Sequence, residues 1–110
     1  MIEKIVLDFL SERLLYPVHM GVPAKAPSRF YVLRKVDSSR ENYVDTAMFT
    51  ILSYAESSLE AAKANELAKS AMDDLTELDC ISASKRNGDY QFPDPKTKQN
   101  RYQAVYSVTY

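Results

Sequence analysis

Apolar residues recur at helical spacing from the start of the chain: Ile2, Ile5, Val6, Phe9, Leu10 and Leu14, with Glu3, Lys4, Asp8, Glu12 and Arg13 on the other side. The pattern predicts an amphipathic helix over residues 2–15, supported by the i,i+4 pair Lys4 and Asp8 and ended by Pro17. Residues 16–28, with Pro17, Gly21, Pro23 and Pro27, read as an extended link in which Val18 to Met20 form a short edge strand. RFYVLRKV (29–36) reads as a strand, DSSREN (37–42) as a polar turn, and 43–55 as a longer strand. Together they predict a hairpin with a projecting, charged tip. Neither face of 43–55 is polar throughout: Tyr43, Ala47, Phe49 and Ile51 share one, and Val44, Met48, Leu52 and Tyr54 the other. A strand apolar on both sides needs cover on both, and a single helical layer covers one.

Residues 57–78 predict a second helix, opened by a capping box of Ser57 and Glu60. Its apolar stripe is Leu59, Ala62, Ala64, Leu67, Ala68, Ala71, Met72 and Leu75, and its alanines let it lie close to a sheet. CISASK (80–85) reads as a strand, Asn87-Gly88 as a hairpin turn, DYQF as the returning strand and PDPKTKQN as a polar loop. The last stretch alternates strictly. Tyr102, Ala104, Tyr106, Val108 and Tyr110 turn to the core, while Arg101, Gln103, Ser107 and Thr109 turn to solvent or a neighbour. The expected architecture is one α+β domain spanning 1–110. Its sheet is mixed, mainly antiparallel, of about four to five strands, with two helices packed on one face.

Composition removes more functions than it suggests. Gly21 and Gly88 are the only glycines, so neither a P-loop nor a Rossmann fingerprint can be built. Cys80 is the only cysteine and His19 the only histidine; they exclude an intrachain disulfide and cannot fill a tetrahedral zinc site. A Cys80–His19 nucleophilic pair is the remaining catalytic option, set against a buried Cys80 and a loop His19. The N-terminus reads neither as a signal peptide nor as a membrane span, and the expected setting is a cytosol. Net charge is −1, which advertises no nucleic acid or membrane partner, but charge is unevenly spread. Acidic residues, among them Asp73, Asp74, Glu77 and Asp79, dominate 56–79, and Lys85, Arg86, Lys96, Lys98 and Arg101 dominate 85–101. Two oppositely charged regions suit copies meeting head to tail, or are solvated surface, and a basic loop also suits nucleic-acid backbone.

YPVHMGVPAKAP, FYVLRKVDSSRENYVDTAMFTILSYAESSLEAAKANELAKSAM and RYQAVYSVTY, taken in order, cover nearly the whole chain. The chain resembles the tail terminator (tail completion) proteins of long-tailed phages, including the lambda-type terminator and the tail-to-head joining proteins of phages of Gram-positive bacteria. The resemblance implies a structural protein without catalysis or cofactor, forming a ring, usually a hexamer. That ring caps the major tail tube protein, stops its growth, meets a head-completion protein and lets viral DNA pass through its lumen. Its place is the host cytoplasm during assembly and then the virion neck, with no membrane. Expected contact residues are Ser38, Ser39, Arg40 and Glu41 on the hairpin tip, Met48 and Leu52 on the uncovered sheet face, and acidic Asp73, Asp74 and Glu77. Lys96, Lys98 and Arg101 are expected to face DNA in the lumen or a neighbouring subunit. The competing expectations are a head-completion or connector protein of the same neck, and a small ligand-binding α+β domain using His19 or Cys80.

Overall fold

In the computed structural model, which describes all 110 residues, the N-terminal stripe forms helix α1, Ile2–Arg13, burying Ile2, Val6 and Leu10. Leu14 turns extended (φ −90°, ψ 142°), three residues ahead of Pro17, while its N–H still caps Leu10. The Lys4–Asp8 pair forms at 2.9 Å on the exposed side, where its worth is a few tenths of a kcal/mol, about 0.3–0.5. The link then supplies strand β1, Val18–His19, followed by β2, Phe30–Glu41, and β3, Val44–Ala55. Helix α2, Ser58–Asp73, runs on into a 3-10 turn over Asp74–Glu77, and β4, Ala83–Gln91, and β5, Asn100–Thr109, complete the chain. The sheet order is β1-β2-β3-β5-β4, with β1 parallel to β2 and every other neighbour antiparallel. This is the expected α+β architecture, a mixed and mainly antiparallel sheet with both helices on one face.

The core lies between that face and the helices: Tyr31 and Leu33, Ala47, Phe49 and Ile51, and Ala104, Tyr106 and Val108 meet α1 and α2. Large rings stand on the sheet and small residues on the helix, since α2 buries Ala61, Ala64, Ala68 and Ala71. The tyrosines also tie the layers by hydrogen bonds. Tyr31 donates to the Ala64 carbonyl (2.9 Å), and Tyr106 lies within reach of the Lys69 carbonyl (3.2 Å) and the Asp73 carboxylate (2.9 Å). Burial raises both phenols above the ordinary tyrosine range, with Asp73 adding to the effect at Tyr106.

Several expectations need correction. DSSREN is no turn: β2 continues to Glu41, and the reversal is made by Asn42 (φ 52°) and Tyr43 (φ 66°) alone. The ladder is kept by a bulge at Val36, which separates Lys35↔Phe49 from Asp37↔Met48. Asn87-Gly88 does not reverse the chain either. β4 runs straight through it, and Asn87 is a second bulge between Arg86↔Tyr106 and Gly88↔Val105. No glycine has positive φ, so the turn chemistry that Asn-Gly offers is unused.

The stripe of α2 is rotated from the expected one. Leu59 (64% exposed) and Leu67 (48%) face out, and Asn65 and Lys69 are buried in their place. Ser57 caps the helix by accepting from the Glu60 N–H at 3.2 Å, while the Glu60 carboxylate turns to Lys63 and Arg29. Finally, the second face of β3 is partly covered by the chain itself, with Val44 (47% exposed) and half-buried Met48 left uncovered. Leu52 and Tyr54 join Phe30 and Val32 in a separate small core, all at most 2% exposed. Tyr106 of the last strand is buried as expected, but Tyr102 is half-buried and Tyr110 exposed, and Arg101 on the supposedly open side is buried.

Candidate functional site

Two regions of the molecule stand out by exposure and charge. The first is the distal part of the β2–β3 hairpin, where every residue from Arg34 to Val44 is exposed. Ser38, Ser39, Arg40 and Glu41 lie in this arm as strand residues, in register with Ala47, Thr46, Asp45 and Val44. Its tip presents Tyr43, 91% exposed, with the Arg40 guanidinium 5.8 Å from the ring centre. Met48, half-buried, lies at the base in a shallow concavity of about 60 Å³ with Asp37, Ser38, Ser39 and Ser107.

The second region is on the far face of the sheet, away from the helices. Register places Arg101 of β5 opposite Tyr54 of β3, and its guanidinium lies 4.7 Å from the centre of the Phe92 ring and 5.5 Å from that of Tyr54. Nε donates to the Phe92 carbonyl and Nη1 to the Tyr54 hydroxyl, both at 2.9 Å. Asp94, flanked by Pro93 and Pro95, folds the following loop by accepting the backbone N–H of Lys96 (2.9 Å) and Thr97 (3.3 Å). Those backbone hydrogen bonds, with the Arg101 charge 3.6 Å away, hold the Asp94 carboxyl below the usual range. Beside this cluster lies a cavity of about 360 Å³, lined among others by Arg34, Tyr54, Lys96 and Arg101.

The expected contact residues therefore scatter. Lys96 and Arg101 come together, whereas Lys98, in the same loop at φ 59°, does not line the cavity. Leu52 is buried within the chain and offers no contact surface, and Arg101 is largely covered by its own loop, reaching solvent only where it lines the cavity. The acidic run is largely satisfied internally: Asp73 accepts from Tyr106, and Asp74 and Glu77 both hold Arg13 at the end of α1. His19 packs edge-on to Phe30 on β1, while Cys80 is exposed just ahead of β4. Those strands are opposite edges of the sheet, about 19 Å apart at the usual strand spacing, so the pair is not assembled. No group of three His, Cys, Asp or Glu side chains is placed to hold a metal ion. No helix is long and apolar enough to cross a membrane.

Sequence reading also missed a polar cluster beneath α2. Asp89 of β4 accepts from Asn65 (2.5 Å) and Lys69 (2.6 Å). Burial alone would raise the Asp89 carboxyl, but those hydrogen bonds and the Lys69 charge outweigh it and bring the group below its ordinary value. The signal was present as two polar residues at i,i+4 on an alanine-rich helix, but it reads as a solvent face until the register of β4 is known.

Searched against models of known protein families, the chain matches none, and no curated protein matches it.

Proposed function

We propose that the chain is a ring-forming assembly protein of the tail terminator type, capping the tail tube and presenting a surface to a head-completion protein. The observation that carries the reading is the outer stretch of the β2–β3 hairpin, exposed from Arg34 to Val44 and tipped by the aromatic ring of Tyr43. From Thr46 onward β3 is also paired with β5, so Arg40 to Asp45 are the residues that project beyond the sheet. Elsewhere on the same chain Leu14, Leu15, Leu67 and Ala71 form an apolar groove of about 340 Å³, with Leu15 82% exposed. Its rim is Arg13 and Asp74, and the arm's is Arg40 and Glu41. A knob and a hole at different places on one surface make a heterologous contact, and such contacts close into rings when the rotation permits. In this reading Tyr43 of one copy enters the groove of the next.

The test is assembly. Light scattering after size exclusion, with and without tail tube protein, should show a closed oligomer in at least the second condition. Electron micrographs should show tubes of fixed, shorter length when the chain is added. A strict monomer in both conditions and unaltered tube lengths sink the proposal; binding to head-side proteins without any effect on tubes points to a connector instead.

A further inference from the structure

The far-face cavity holds more positive charge than its own fold uses. Three cations border it, Arg34 from β2, Lys96 from the 92–99 loop and Arg101 from β5, against one carboxylate, Asp94. Asp94 is fully engaged: Oδ1 accepts two backbone N–H groups, and Oδ2 faces the Tyr54 hydroxyl at 3.4 Å and Arg101 at 3.6 Å. Its charge offsets Arg101 and no more. Arg34 and Lys96 have no carboxylate within 4.0 Å, although Lys35, the next residue along β2, pairs with Glu3 on the helix side at 3.1 Å. The cavity therefore carries a surplus of two positive charges on one small concave surface.

Arg101 is also built in the manner of a ligand-holding arginine. Its side chain is 8% exposed, its plane is held beside two aromatic rings, and Nε and Nη1 are tied to fixed acceptors. Nη2 makes no hydrogen bond within the chain, on a residue that lines the cavity. A guanidinium ordered before binding loses little freedom when it meets an anion. Arg101 is the fixed group, and Arg34 and Lys96 are exposed on the same lining.

We infer that this cavity binds a phosphate group, with Arg101 presenting Nη2 and Arg34 and Lys96 closing from either side. Phosphate suits the arrangement better than a side-chain carboxylate. Cations arriving from three separate segments match the several oxygens of a tetrahedral anion, whereas a planar carboxylate is satisfied by one arginine fork. The same chemistry is offered by free phosphate and by the phosphodiester backbone of a nucleic acid. Nothing in the inference depends on the chain forming rings, because every contributing residue belongs to one copy.

The test is a titration of the full chain, followed by amide and arginine Nε NMR signals at low salt. Inorganic phosphate, a short single-stranded DNA and acetate are added in separate series. Phosphate or the oligonucleotide should move the signals of Arg34, Lys96, Thr97 and Arg101 together, and acetate should move them at least tenfold more weakly. The double variant Arg34→Gln/Lys96→Gln, both at exposed positions, should keep the wild-type melting temperature and bind at least tenfold more weakly. Lys98→Gln, in the same loop but off the cavity, should bind as wild type. Tighter binding of the oligonucleotide than of phosphate assigns the site to nucleic-acid backbone, and the reverse assigns it to the free ion. Absence of localised shifts with both, equal binding of acetate, or equal loss with Lys98→Gln overturns the inference. A chain that fails to form rings yet gives the expected shifts leaves it standing.

Discussion

Removing the Asp89 side chain tests how α2 is held to the sheet. Lys69 is 10% exposed at its side chain, and with Asp89 gone its ammonium keeps only Glu66, at 2.7 Å and 70% exposed. Asn65, 2% exposed, loses the acceptor of its amide, and its Oδ1 already lacks a partner. Breaking a buried pair from one side costs about 3–5 kcal/mol. Asp89 is 26% exposed and Glu66 remains, so solvent screening brings the figure for Asp89→Ala to about 2–3 kcal/mol. For a chain of this size that lowers the melting temperature by about 8–12 °C. Urea unfolding at one fixed, low protein concentration is the assay, so that association does not add to apparent stability. The slope should be unchanged and the midpoint should fall by about 1 M or more. Lys69→Met measured alone and with Asp89→Ala closes a double-mutant cycle, with an expected coupling of about 1–2 kcal/mol. A loss below about 0.5 kcal/mol for Asp89→Ala, or additive single effects, refutes the claim that this cluster binds the layers.

Tyr43→Asp and Leu67→Glu, both on exposed positions, should leave melting within about 0.5 kcal/mol of wild type and abolish the oligomer; two variants that still assemble refute the knob-and-groove contact. Acid should destabilise the chain late. Arg29 holds the Glu56 carboxyl down to about 2, and Asp89 and Asp94 are also depressed. Folded values below unfolded ones mean that their contribution is whole above the unfolded carboxylate range and disappears as pH falls through the folded values. The melting temperature should therefore hold from pH 7 to about 5 and fall between about 4 and 2, and Glu56→Gln should flatten that fall; an unchanged slope contradicts the assignment. Deleting Thr109 and Tyr110 removes the Ser82 N–H contact to the Thr109 carbonyl and the Tyr110 N–H contact to Asp45, both 2.9 Å. The expected loss is about 1–2 kcal/mol, and no measurable change by calorimetry means that the end of β5 is frayed.

Both helices, the first three strands and the helix-facing residues of the central strands were legible because period-two and period-3.6 patterns are local. Phe49 and Ile51, Ala104 and Tyr106, and the Ser57 cap all fall where their spacing puts them. What was illegible depends on register between segments far apart in sequence. Leu67 looks like a core residue and Lys69 like a surface one until β4 places Asp89 beneath the helix. Arg101 looks solvent-facing by alternation, and is buried because a loop ordered by Asp94 folds back over it. Of the cavity, Lys96 and Arg101 were visible as basic positions, but Arg34 was only one more residue in a strand.

The misread turn at Asn87-Gly88 is a bulge, and that bulge explains the two polar sites together. Without the extra Asn87 an unbroken ladder would pair Asp89 with Gln103, on the far face of the sheet. With it, Asp89 stands opposite Ala104, facing α2, where Lys69 and Asn65 reach it. The same one-residue shift sends Tyr90 and the following Phe92 to the far face, where Phe92 supplies both a ring and a carbonyl to Arg101. One inserted residue thus fastens the helix on one side of the sheet and, on the other, places the ring and carbonyl that hold Arg101.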